Sequence, residues 1–115
     1  MAYDEDMANR VRETIALESG LDERSMFGGL AFLIGGNMAV AVSHRDALLV
    51  RVAPSEGAAA LERPHTEQMV MRGKPMPGWI YVDFEGVRTK RDLAAWVRRG
   101  VEFARSLPAK KPRTR

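Results

Sequence analysis

Apolar residues recur along this chain with two different periods, and the switch between them marks out the elements. From Asp4 to Glu18, Met7, Val11 and Ile15 fall four apart and Ala8 widens the stripe, which is one face of an amphipathic helix. Asp4, Glu5 and Asp6 sit where a helix N-terminus favours negative charge, and Gly20 is the expected C-cap. Near the other end, Leu93, Trp96, Val97, Gly100, Val101 and Ala104 form a second helical stripe. Thr89 and Asp92 make an approximate capping box before it, and Pro108 stops it. Gly100 costs this helix about 1 kcal/mol against alanine. Its place on the apolar stripe predicts a close approach of helix to sheet.

Between the helices the period drops to two. Leu30–Ile34 and Met38–Val42 flank Gly35-Gly36-Asn37, a turn rich in residues that tolerate positive φ, and so predict an antiparallel hairpin. Leu21–Arg24 reads as a link and Ser25–Phe27 as a short first strand. Ala47–Val52, Gln68–Arg72 and Trp79–Phe84 are further strands, with a short helix starting at Pro54. Gly73–Gly78, with two prolines and two glycines, reads as a loop. Strands joined by such short turns are antiparallel, and terminal helices can cover one face of their sheet. The expected fold is therefore a two-layer α+β domain, ordered helix, strands, helix, strands, helix.

Alternation sorts the strand residues into two faces. Leu30, Phe32, Ile34, Met38, Val40, Val42, Leu48, Val50, Val52, Met69, Met71, Ile80, Val82 and Phe84 are expected under the helices. Ala31, Leu33, Ala39, Ala41, Leu49, Arg51, Val70, Arg72, Trp79 and Tyr81 are expected on the other side. That second set is too apolar for a face that simply meets water, so Leu33, Leu49, Trp79 and Tyr81 become candidate contacts for a protein partner, a second copy among them.

Composition narrows the chemistry. The 115 residues contain no cysteine, which excludes disulfides, thiolate metal sites and thiol nucleophiles, and fits a cytoplasmic setting. No apolar run approaches the roughly 18 residues that a membrane span needs, and the acidic N-terminus is no secretory signal. The pI near 9.7 belongs mostly to the tail. Lys110, Lys111, Arg113 and Arg115 carry +4 of a chain total of +3, leaving residues 1–108 at −1. Residues 109–115 are expected to be a disordered basic tail after a domain spanning 1–108, offering at most weak, non-specific contact with nucleic acid. His44 and Asp46 in a turn, and His65, are too thin an inventory for a metal or general-base site. No cofactor motif is present, since neither glycine pair fits a phosphate-binding pattern. Lys74, in the Gly73–Gly78 loop, is the best-placed candidate for an anion contact. Trp79 and Tyr81 with Arg51 and Arg72 could stack single-stranded bases.

An N-terminal helix, then MFGG (Met26 to Gly29), a glycine-turn hairpin, LLVRV (Leu48 to Val52) and GKPMPGWIYVD (Gly73 to Asp83) before a closing helix resembles the TfoX/Sxy N-terminal domain family. The resemblance covers roughly residues 5 to 107. It implies an α+β fold of secretion-chaperone-like topology, with a five-stranded antiparallel sheet and helices on one face, in a cytoplasmic bacterial protein. It also implies kinship with regulators of natural transformation, which act with the cyclic-AMP receptor protein at promoters. Those regulators carry a second, helical domain, whereas here a short basic tail follows, so a stand-alone domain is expected. The family supplies no catalytic residues, and the matching Met26, Phe27, Gly28, Gly29 and Pro75 read as structural. The expected function is a non-enzymatic interaction module of regulatory type. The alternative is a small-molecule binder or enzyme using the Gly73–Gly78 loop.

Overall fold

The computed structural model describes residues 3–26, 28–43 and 45–109. Phe27, His44, Lys110, Lys111, Arg113 and Arg115 lie outside them. The chain runs α1 (Glu5–Ile15), β1 (Leu21–Met26), β2 (Gly29–Ile34), β3 (Asn37–Val42), β4 (Ala47–Arg51), a 3-10 turn (Pro54–Glu56) and α2 (Gly57–Leu61). It continues through β5 (Thr66–Met71), β6 (Lys74–Asp83), a second 3-10 turn (Phe84–Val87) and α3 (Lys90–Ser106). The sheet has six antiparallel strands in the order β1-β2-β3-β4-β6-β5.

Both helix stripes are buried as their spacing predicts. Met7, Ala8, Val11 and Ile15 of α1, and Leu93, Trp96, Val97, Gly100, Val101 and Ala104 of α3, face one side of the sheet. Asp4 caps α1 by accepting from the Met7 amide at 2.9 Å, and Thr89 caps α3 by accepting from Asp92 at 3.0 Å. Gly100 earns its place: a Cβ there would overlap the carbonyl oxygen of Ala39, so only glycine lets α3 lie this close to β3. Gly29 of the MFGG motif is constrained in the same way by the carbonyl oxygen of Val42.

Four expectations need correction. The sheet has six strands, not five, because Leu21–Arg24 is no link: Leu21–Met26 pairs with β2 along its whole length. Its Asp22-Glu23-Arg24 run hides the strand by replacing apolar alternation with charge, as suits an edge. Second, Gly73–Gly78 is no loop. β6 begins at Lys74, and only Arg72 and Gly73, both at positive φ, make the turn from β5. The prolines are tolerated because the β4 ladder reaches β6 only at Trp79 and the Val52 amide extends it just to the Gly78 carbonyl, which leaves Lys74–Pro77 without a ladder partner on that side.

Third, Met38 leaves the helix-covered face. Phe32 pairs with Val40 but Leu33 with Met38, so Ala39 is the extra residue of a β-bulge. Ala39 turns under the helices, and Met38 turns to the other side. Fourth, Met69 and Met71 also lie on that other side, whereas Val70 does not. β5 pairs Thr66 with Val82 and Gln68 with Ile80, which sets its even residues towards the helices and Met69 and Met71 on the side of Tyr81. Beyond Gln68, surplus residues of β6 break the register and bring Pro75 opposite Val70. The Gln68 side-chain Nε2 serves this irregularity, donating to the carbonyl of Met76 at 2.6 Å with those of Met69 and Trp79 at 3.0 and 3.3 Å.

Candidate interaction face

The sheet divides two separate apolar clusters. The larger holds the helices together with Leu30, Phe32, Ile34, Val40, Val42, Leu48, Val50, Ile80 and Val82. The smaller, on the opposite side, has Ala31, Leu33, Met38, Ala41, Leu49 and Met69 at its centre and Met26, Met71, Met76, Trp79 and Tyr81 partly buried around them. No helical residue belongs to it among the described residues. It gathers five of the seven methionines in the chain.

The four residues expected to meet a partner all lie in this cluster, at two depths. Leu33 and Leu49 form its floor, only 2% and 1% exposed, while Trp79 and Tyr81 are half-buried at its rim. What reaches the surface is therefore methionine and aromatic. Met26, Met71 and Met76 were not singled out by the sequence, although they are the side chains that close over the leucines.

Cations surround the rim. The Arg45 guanidinium lies 4.2 Å from the Tyr81 ring centroid and donates to Glu67 at 3.2 Å. The Arg51 guanidinium lies 4.9 Å from Trp79 and 5.2 Å from Phe103 of α3. Arginine over an aromatic face is a favourable electrostatic contact, and it occupies the ring surface that a stacking base would need. Arg24, opposite Ala31, shares this side of the sheet with Asp22, opposite Leu33. Arg72 and Lys74 flank Gly73 in the exposed β5–β6 turn. Lys74 stays a solvated turn residue on a strand end, paired in register with Met71.

The structure also brings together His65 and Asp83, which sequence distance hides. His65 Nδ1 lies 3.3 Å from Asp83 Oδ1, and the Asp83 amide donates to the His65 carbonyl at 2.9 Å. Asp83 also accepts from Gly86. A cleft of about 160 Å³ beside them is lined by Arg45, Glu67 and Tyr81. Arg45 pairs with Glu67 and His65 with Asp83, and Thr66 Oγ1 donates to the backbone carbonyl of Arg63 at 2.8 Å, so among the described residues the Thr66 hydroxyl is not paired with a base. A larger cleft of about 420 Å³ separates α1 from α3, with Thr14, Ile15, Val97, Arg98 and Arg105 in its wall and no residue of 73–78. Among the described residues, no group of three His, Cys, Asp or Glu side chains could hold a metal, and no helix is long and apolar enough to cross a membrane. Asp46 lies exposed in its turn at φ 54°.

Among the described residues two titrating groups, partners of one another, are clearly shifted. The Arg12 guanidinium makes a two-pronged contact with Glu23 (Nε–Oε2 2.8 Å, Nη2–Oε1 2.9 Å), and this hydrogen bonding holds the Glu23 carboxyl below its usual range. It ties α1 to edge strand β1 and lies on the covered side, remote in role from the methionine face.

A search of curated proteins found no relative of this chain. The profile of the TfoX N-terminal domain matches residues 13–104, from α1 to the last turn of α3, and so takes in both faces of the sheet. With that match over most of its length, the six-stranded α+β chain belongs to the TfoX N-terminal domain family.

Proposed function

We propose that this chain is a non-enzymatic, cytoplasmic interaction module of regulatory type, and that it holds a protein partner on the methionine–aromatic face of its sheet. The observation that carries this reading is the composition of that face. Methionine side chains are unbranched and polarizable, so they adapt to a partner's shape, and they recur at binding surfaces for that reason. Trp79 and Tyr81 supply the large, half-buried rings that most often anchor an interface. The partner's chemistry follows from the rim: Arg24, Arg45, Arg51, Arg72 and Lys74 outnumber Asp22, Glu67 and Asp83, which favours an apolar segment with acidic flanks. The alternative of a small-molecule site at Gly73–Gly78 has less support, since those residues form a turn and a strand and line neither the 160 Å³ nor the 420 Å³ cleft.

The test compares wild type with Trp79→Ala/Tyr81→Ala as baits in the native host, quantifying each captured protein across a salt series. The double variant loses capture by at least about 30-fold, equivalent to about 2 kcal/mol, and wild-type capture weakens with salt. Equal capture by a double variant that still folds would overturn the reading.

A further inference from the structure

The two edges of the sheet are built differently. β1 presents Asp22, Glu23 and Arg24 in succession, and charge of this kind deters pairing with another strand. β5, at the opposite edge, reads TEQMVM and carries one charge, Glu67, already engaged by Arg45. Its Val70 is 58% exposed, one of two large apolar side chains so exposed among the described residues.

The backbone of β5 is open as well. Pro75 has no N–H, so its pairing with Val70 is of the non-hydrogen-bonded kind, and the N–H and C=O of Val70 point away from β6. The next pair, Met71 with Lys74, closes the two-residue turn and points inward. Alternation then turns the N–H and C=O of Thr66, Gln68 and Val70 outward, a row of unsatisfied groups spaced for a further strand.

We propose that β5 pairs with β5 of a second copy, antiparallel and centred on Met69. The outward groups must face each other, which restricts a two-fold pairing to registers that set even residues opposite even ones. Centred on Met69, Gln68 and Val70 of each copy exchange four backbone hydrogen bonds with Val70 and Gln68 of the other. The two Glu67 side chains then stand four residues apart, roughly 13 Å and beyond the Debye length at physiological salt. Centred instead on Gln68 they would stand two residues apart, within it. The Met69 register also covers each exposed Val70 with the partner's Gln68 stem. A two-fold axis through such a pair runs perpendicular to the sheet, so the helices of both copies share one side and both methionine faces share the other. The inference stands on the edge backbone alone and not on the binding role proposed for that face.

Size-exclusion chromatography with light scattering on the full chain, over a concentration series, is the first arm. The mass rises with concentration towards twice 12.8 kDa. Val70→Lys sets two cations across the axis and raises the dissociation constant at least roughly tenfold. Val70→Pro removes an outward N–H that the monomer does not use, and returns the mass to 12.8 kDa with the circular-dichroism spectrum unchanged. Amide hydrogen exchange is the second arm: Gln68 and Val70 gain protection in the dimer and lose it on dilution. A chain that stays monomeric throughout, even if it captures a foreign strand at this edge, overturns the proposal. A dimer that survives both substitutions with Gln68 and Val70 unprotected also overturns it. Because Val70 lies off the methionine face, capture of the partner proposed above continues in either variant, and failure of one idea does not count as failure of the other.

Discussion

Leu49 and Val50 are neighbours on β4, both at most 1% exposed, yet they belong to different kinds of interior. Val50 lies under helices among valine, isoleucine, leucine and phenylalanine, side chains with few rotamers that interdigitate in one arrangement. Leu49 lies under methionines and two rings, with no helix above it among the described residues. The first side is closed by secondary structure, and opening it means unfolding. The second is closed by flexible side chains, and opening it means rotating them. Burial alone does not distinguish these two interiors; what covers each of them does.

If that distinction is right, the two sides respond differently to the same truncation. The largest effect is expected at Leu48, under the helices, where Leu48→Ala lowers unfolding free energy by about 4–5 kcal/mol. Leu49→Ala, one residue on but on the methionine side, costs about 2 kcal/mol, the low end for such a change, because the methionines can collapse into the space. Chemical denaturation of the two variants checks this, and equal costs would erase the distinction. Next comes Met71→Leu with Met76→Leu, a volume-conserving change. Stability shifts by less than about 1 kcal/mol in total, while partner affinity drops severalfold as adaptability is lost. Binding unchanged by the stiffer side chains would mean that methionine's flexibility is incidental.

The smallest effect concerns the pair that ties α1 to β1. Glu23 has a depressed folded-state pKa, so its contribution is present above the ordinary carboxylate range and disappears as pH falls through the folded-state value. Both partners are more than one third exposed, which keeps the gain small. Glu23→Gln therefore lowers Tm slightly at neutral pH, and its difference from wild type vanishes in acid. A difference that persists in acid would assign the loss to packing instead.

The helices, the central hairpin and the α+β class were legible in the sequence, because Met7, Val11, Ile15 and the α3 stripe carry their period openly and Gly35-Gly36 demands a turn. Gly100 even announced the close packing of α3 on β3. What could not be read was register. A one-residue bulge at Ala39 moves Met38 across the sheet, and the pairing of Gln68 with Ile80 puts Met69 and Met71 on the side of Tyr81, away from Ile80 and Val82. Alternation within a strand is local, whereas the pairing that assigns its face depends on a partner strand. The methionine face was for this reason visible only through Leu33, Leu49, Trp79 and Tyr81, two of which form its floor. His65 and Asp83 came together through the same non-local pairing.

The most direct measurement is site-specific photo-crosslinking in the native host. A photoreactive phenylalanine replaces Met71, on the methionine face, or Thr14, in the cleft between α1 and α3. The account predicts a discrete adduct from position 71, abolished by Trp79→Ala/Tyr81→Ala in the same chain, and none from position 14. The same adduct from position 14, with position 71 silent, would place the partner on the helical side and contradict it.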